Sequence, residues 1–203
     1  MGNSKDPKIS AILLAAGESL RMGTQNKLFL DWEGEPMIIR AINQLKSAGI
    51  EELIVVLNPE NKTKLDDFHV NDIKQVINED YKRGMTTSIQ RGVIESNSDT
   101  DGFMICMSDQ PLLSSFELDQ LISEFSQVWN QDKECIIVPF HEGRKGNPVI
   151  FSSCYKKAIL NHKEMEGCKG IVKKNISQVH QAHINSKAIH MDVDTLEDYR
   201  ENS

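Results

Sequence analysis

The chain has 203 residues, 39% hydrophobic and 26% charged, proportions ordinary for a globular protein with one substantial core. Its formal net charge of -7 argues against a general nucleic-acid binder, which needs a basic face, but not against a nucleotide substrate. No apolar run approaches the ~20 residues of a membrane span, and "MGNSKDPK" lacks a signal-peptide pattern. Residues 1–8 are expected to be a disordered end or an added remnant. Cys106, Cys135, Cys154 and Cys168 show no CxxC spacing and read as reduced thiols of a cytoplasmic protein.

Short β-branched runs alternate with helical patterns along the chain. Ile9 to Leu14 reads as a strand, and Met37, Ile38, Ala41, Ile42, Leu45 and Ala48 recur at helical spacing between Pro36 and Gly49. Leu53 to Leu57 and Ile73 to Ile77 are further strands, followed by a helix from Met85 to Glu95. Phe103 to Met107 is a strand, Ser115 to Trp129 a helix capped by Ser114, and Cys135 to Val138 a strand. A short strand at Pro148 to Phe151, a helix from Ser153 to Leu160, a strand ending near Val193 and a helix begun by Asp194 or Thr195 complete the pattern. These near-continuous apolar strands predict a single three-layer, Rossmann-like α/β domain over 9–203, with a mostly parallel sheet. In such sheets ligands bind beyond the carboxyl ends of the strands, which selects the loops after Leu14 and Met107.

The first of these loops carries almost no side chain at Ala15, Ala16 and Gly17, so a ligand can approach the backbone closely. Arg21 and Lys27 add a planar donor fork and a point charge, both suited to phosphate. The same residues also suit a tight connection with two solvated cations. Neither a Walker loop nor a GxGxxG fingerprint is present. In "MICMSDQPLL", Asp109 follows a buried strand, where a carboxylate can hold Mg²⁺ or cap a turn before Pro111. In "MDVDTLEDY", Asp192 and Asp194 alternate along an expected strand end and so point to opposite faces, and Asp194 also suits a helix cap. Gly84 permits a turn before Ser88, and Asn78 is a polar candidate at a strand end. Met85, Met104 and Met107 read as core filling. His180 and His183 read as structural or surface histidines.

"LAAGESLRMGTQNKLFL" resembles the signature LAAGxSxRMGxxNKLL of nucleotidyltransferases similar to molybdenum-cofactor cytidylyltransferase, within the MobA-like NTP transferase superfamily. The resemblance runs from residue 9 to residue 200 with the motifs in order. It implies a nucleotide-binding loop at Leu14, Ala15, Ala16 and Gly17, with Arg21 and Lys27 holding the phosphates. It also implies Mg²⁺ on Asp109, from a GDQP-like motif in which Ser108 replaces glycine. By the same resemblance the second metal ligand is expected to be Asp194, with Asp192 the alternative, from a DIDTPEDL-like motif in which Leu196 replaces proline. Ser88 and Asn78 fall where the family contacts the base. "GRKGNPVIF" resembles GxxGHPV, which places Gly146, Asn147 and Pro148 on the acceptor side. There Asn147 replaces the common histidine and loses the titratable ring, while Arg144 and Lys145 are either anion ligands or a solvated hairpin tip.

The implied reaction is transfer of CMP from CTP to the phosphate of molybdopterin, with no general base needed for an anionic acceptor. Ala16 favours cytidine, because the guanylyltransferase relatives read LAGG and an added methyl leaves less room for a purine. A client molybdoenzyme or its maturation chaperone is the implied protein partner. Two alternatives remain. One is another cytidylyl- or sugar-phosphate nucleotidyltransferase on this fold, which acceptor binding would distinguish. The other is a non-catalytic nucleotide-binding maturation protein, which would release no pyrophosphate.

Overall fold

A computed structural model describes residues 6–18 and 26–202. Strand β1 (Ile9–Ala15) extends one residue beyond the expected Leu14. A small hairpin, β2 (Asp31–Trp32) and β3 (Glu35–Pro36), turns through Glu33 and Gly34, both at positive φ. Helix α1 (Met37–Ser47) buries Met37, Ile38, Ile42 and Leu45, as its spacing predicts. Strand β4 (Glu52–Leu57) leads into α2 (Pro59–Asp66), a helix that apolar periodicity does not predict because Leu65 is its one aliphatic side chain. The local signal for α2 is Asn58–Pro59: the Asn58 side chain accepts from Asn61 N, and proline occupies the first turn.

Strand β5 (Lys74–Ile77), helix α3 (Met85–Glu95) and strand β6 (Gly102–Met107) follow as expected. Helix α4 (Ser115–Gln131) starts with a capping box between Ser114 and Glu117. Strand β7 (Ile136–His141) forms a hairpin with the two-residue β8 (Arg144–Lys145), and β9 (Val149–Ser152) leads into the short helices α5 (Lys156–Leu160) and α6 (Lys169–Lys174). Strand β10 (Val179–His183) and helix α7 (Leu196–Asn202) complete the order.

The C-terminal segment corrects the sequence-based expectation. No strand ends near Val193. Residues Lys187–His190 instead form a 3-10 turn capped by Ser186, and the last sheet strand is β10. The reason is that Ile189 and Val193 reach buried positions through a turn rather than by alternation, whereas β10 is an edge strand with polar residues at His180, Gln181 and His183.

The sheet order is β10-β7-β9-β6-β1-β4-β5, with β8 added beside β7. β1 pairs parallel with both β4 and β6, and β5 and β10 are also parallel to their neighbours. β9 runs antiparallel between β6 and β7. From β1 the chain moves outward to β4 and β5, then returns to β6 on the other side of β1. The carboxyl ends of β1 and β6, where Leu14 pairs with Met107, therefore flank a crevice at the topological switch.

Alternation along β1 divides the core into two layers. Ile9, Ala11, Leu13 and Ala15 pack with Ile38 and Ile42 of α1 and Leu121 and Phe125 of α4. Ile12 and Leu14 face the opposite way, toward Ile89 and Val93 of α3 and Ile159 of α5. Helix α3 lies close against the sheet because Gly92 has no side chain: a Cβ there would overlap Ile12 Cγ2 and stand 3.2 Å from Val56 Cγ2. Gly92→Ala is therefore expected to destabilise the fold by about 1–3 kcal/mol through overpacking, despite alanine's better helix propensity. Urea denaturation measures this, and a neutral result would show that α3 can stand off the sheet. Among the described residues no helix is long and apolar enough to cross a membrane.

Candidate active site

The crevice at the ends of β1 and β6 is a cavity of about 350 Å³. One wall is the start of the opening loop, with Leu14, Ala16 and Gly17; another is the beginning of α3, with Gly84, Met85 and Ser88. Lys27 and Leu28 enter from the returning end of the loop, and Met107, Ser108, Asp109 and Asp194 close the remaining side. The loops after β1 and β6 thus meet where strand topology predicts.

Asn58, Asn61 and Ser108 hold the start of the opening loop. Asn58 Nδ2 donates to the carbonyl of Ala16 at 3.0 Å, and Asn61 Nδ2 donates to that of Ala15 at 2.7 Å. A trans peptide directs a carbonyl and the following N–H to opposite sides. The amides of Ala16 and Gly17 consequently point away from α2, and both residues line the cavity. On the other flank, Ser108 Oγ donates to the Leu14 carbonyl at 2.6 Å, joining the two strand ends. The serine that replaces glycine in the motif thus fits its loop and adds a hydrogen bond to it. Apart from the Asn58–Pro59 cap, nothing local in the sequence distinguishes Asn58 and Asn61, because their partners lie more than 40 residues away.

The charged centre consists of Lys27, Asp109 and Asp194. Asn26 caps the 3-10 turn Lys27–Phe29, and Leu28 anchors that turn in the core. Lys27 Nζ donates to Asp109 Oδ2 at 2.6 Å and to Asp194 Oδ1 at 3.0 Å. Burial alone would lower the Lys27 pKa, but the two carboxylates outweigh it and hold the ammonium above the usual lysine value. Asp109 Oδ1 is buried and has no hydrogen-bond partner among the described residues. Asp109 lines the cavity, and a buried carboxylate oxygen without a partner there is where a cation could be held.

Asp194 reaches the centre from an irregular segment rather than from a strand, so the expected opposite-face alternation of Asp192 and Asp194 does not apply. Val193 packs with Trp32 and Met37, and its N–H donates to the Asp109 carbonyl at 2.8 Å. Thr195, not Asp194, caps α7: Thr195 Oγ1 accepts from Asp198 N, while Asp198 Oδ2 accepts from Asp194 N and Thr195 N. The Asp194 carboxylate is thereby left to face Lys27. Asp192 accepts from Gln110 Nε2 at 2.8 Å. Although much of Asp192 is open to solvent, partial desolvation and then the Asp109 charge push its carboxyl up to about 6.

The other expected site residues separate into those at the cavity and those away from it. Ser88 lines the cavity, but Asn78 stands behind it, donating to Ser88 Oγ and Thr87 Oγ1 at 2.9 Å each. Met85 and Met107 both line the cavity, Met107 also packing against the α3-side core, and only Met104 of the three is fully buried. Tyr81 and Glu18 also line it, without a motif to mark them. Arg21 lies outside the described residues. Gly146, Asn147 and Pro148 are not in the cavity wall; Asn147 N donates to Ile189 O, the same carbonyl that accepts from Gln110 Nε2. The segment expected on the acceptor side is thus joined to Gln110, the residue after Asp109, through Ile189. Arg144 and Lys145 are exposed in β8. All four cysteines are free, and burial raises the thiol pKa of Cys106, Cys135 and Cys168, so none of these three is a poised nucleophile.

Residues 11–182 match the MobA-like NTP transferase domain. The chain belongs to this family. As a MobA-like transferase it is a nucleotidyltransferase, and its relatives carry more than one nucleotide specificity in their names. It is 26% identical over 195 residues to the molybdenum cofactor cytidylyltransferase of Escherichia coli (strain K12), covering 94% of this chain and 93% of that one. It is 33% identical over 137 residues to a probable molybdenum cofactor guanylyltransferase of Natranaerobius thermophilus, covering 66% of this chain and 62% of that one. The fold of this transferase matches Rv0371c of Mycobacterium tuberculosis H37Rv with a TM-score of 0.83 at 20% identity, covering 97% of this chain and 98% of that one. Rv0371c has also been solved in complex with manganese.

Proposed function

We propose that this nucleotidyltransferase moves CMP from CTP to the phosphate of molybdopterin, with Mg²⁺ as its metal. The observation that carries this reading is the similarity to a cytidylyltransferase over nearly the full length of both chains. Ala16 in the cavity wall supports cytidine, since its methyl takes space that a purine would need.

In the proposed reaction an oxygen of the acceptor phosphate bonds to the α-phosphorus of CTP. The bond from that phosphorus to the α,β-bridging oxygen breaks, and pyrophosphate leaves with the electron pair. The acceptor is already an anion, so the chain has to position the reactants and stabilise charge. The Ala16 and Gly17 amides and Lys27 face the triphosphate in this reading, Arg21 adds a further cation, and the Ser88 hydroxyl meets the base. Asn78 orients Ser88. Asn147 and its neighbours act on the acceptor side through Ile189 and Gln110.

A divalent cation fits the donor set. Among the described residues the cavity wall carries Lys27 beside the carboxylates Glu18, Asp109 and Asp194, and a divalent cation would add positive charge against a triphosphate. Among the described residues no group of three or more His, Cys, Asp or Glu could hold a metal ion. Mg²⁺ commonly takes one or two protein carboxylates and completes its shell with phosphate and water, which suits Asp109 and Asp194. When bound, it would neutralise charge on the phosphate oxygens.

The test is pyrophosphate release from each of the four NTPs, with and without molybdenum-loaded molybdopterin. CTP with molybdopterin is expected to be the productive pair; a preference for GTP would overturn the cytidylyl assignment, and the absence of release with any NTP would overturn transfer to this acceptor. Ala16→Gly is expected to shift the CTP:GTP ratio of kcat/KM toward GTP by roughly 10- to 200-fold at most, the range for one methylene-sized contact. Ser88→Ala should instead weaken use of CTP without improving GTP, because it removes a hydrogen-bonding group and makes little room. An unchanged ratio in Ala16→Gly would remove the steric explanation alone.

A further inference from the structure

We propose that Asn61 is a positioning residue: it clasps the two flanks of the nucleotide loop together and so determines where the Lys27 ammonium lies. The proposal rests on the reading of Lys27 as a triphosphate ligand. The loop leaves the sheet at Ala15 and its far flank begins at Asn26, beside Lys27. Asn61 joins both. Its Nδ2 donates to the Ala15 carbonyl at 2.7 Å, and its Oδ1 accepts from Asn26 Nδ2 at 2.5 Å. Its own N–H donates to Asn58 Oδ1 at 2.7 Å, which fixes it in the first turn of α2.

Asn61 is 0% exposed, and a buried amide is costly unless its groups are satisfied. Here the donor end is used on one flank of the loop and the acceptor end on the other. An aliphatic side chain could fill the same space but could not link the flanks. Helix α2 is a firm base for the clasp, because Leu65 buries it against the core and Asn58 caps it.

The effect on Lys27 passes through Asn26. The Asn26 side chain caps the turn that carries Lys27, accepting from Leu28 N at 3.2 Å, while its amide nitrogen reaches Asn61. Lysine has a long, flexible stem, and ordering it costs conformational entropy. The carboxylates of Asp109 and Asp194 hold its tip, and the clasp holds its root. Asn61 touches neither substrate nor metal in this account and acts through Asn26 on Lys27.

The test uses Asn61→Ala and Asn26→Ser in the full chain, and the second variant decides if the first does not fold. Serine can still cap the Lys27 turn but is too short to reach Asn61. In the nucleotide-free protein, both variants are expected to speed hydrogen exchange at residues 26–30 by about tenfold or more relative to wild type. The amides of α2 should change less in Asn26→Ser, because the buried Asn61 side chain and its bond to the Ala15 carbonyl remain. In kinetics with Mg-CTP, each variant should lose roughly 10- to 100-fold in kcat/KM, and less than about threefold when Lys27 is already alanine.

A merely structural role would give the same fold-loss in both backgrounds. That outcome, or unchanged exchange at residues 26–30, would overturn the proposal. A wild-type chain that transfers no nucleotide would overturn the functional reading instead, and the exchange measurement would still decide whether the clasp exists.

Discussion

Asp109→Asn is expected to reduce pyrophosphate release by ~10²-fold or more while leaving the circular dichroism of the chain unchanged. Asparagine has nearly the same shape, so packing at the end of β6 should survive. The backbone bond from Val193 N to Asp109 O does not involve the side chain, so the C-terminal segment should stay docked. What disappears is charge. The Lys27 ammonium loses its 2.6 Å partner, and the orphaned Oδ1 position no longer belongs to a carboxylate that could hold a cation. In the proposed reaction both losses fall on the transition state, where negative charge grows on the leaving pyrophosphate. The measurement is single-turnover transfer at saturating Mg-CTP, and near-normal turnover would remove Asp109 from the mechanism.

Lys27→Ala should lower kcat more than it raises KM, with an overall loss of at least ~10²-fold, if the ammonium acts mainly on charge developing in the transition state. The ion pairs add a second expectation. Lys27 sits between Asp109 and Asp194, and removing it leaves two carboxylates facing each other across a partly buried site. The apo protein should lose about 1–3 kcal/mol, the range for leaving the buried Asp109 carboxylate without its ion pair. Mg²⁺ should then stabilise the variant more than the wild type, because the metal no longer competes with the ammonium for the same carboxylates. Thermal unfolding with and without Mg²⁺ measures this. Equal Mg²⁺ stabilisation in both proteins would show that Lys27 and the metal occupy separate places.

Much of the architecture is legible in residue order because its signals are local. The near-continuous apolar run of β1, the spacing of Met37, Ile38, Ile42 and Leu45, and the Ser114–Glu117 box each depend on neighbours a few residues apart. Helix α2 and strand β10 are harder to read for the same reason: one has a single aliphatic residue, and the other alternates weakly at a sheet edge. The antiparallel course of β9 between β6 and β7 follows from pairing partners distant in sequence, which no local pattern encodes.

The site divides along the same line. Small residues after β1, a carboxylate after β6 and a lysine at the returning end of the loop mark a crevice by type and position alone, and the strand order brings them to it. That Lys27 bridges Asp109 and Asp194, that Asn78 supports Ser88 from behind, and that Asn61 joins Ala15 to Asn26 are contacts between segments far apart in the chain. Periodicity and motif spacing report which backbone a segment prefers and which chemistry it carries. Hydrogen bonds and ion pairs need distances of about 3 Å, and only the packing of helices against the sheet establishes those.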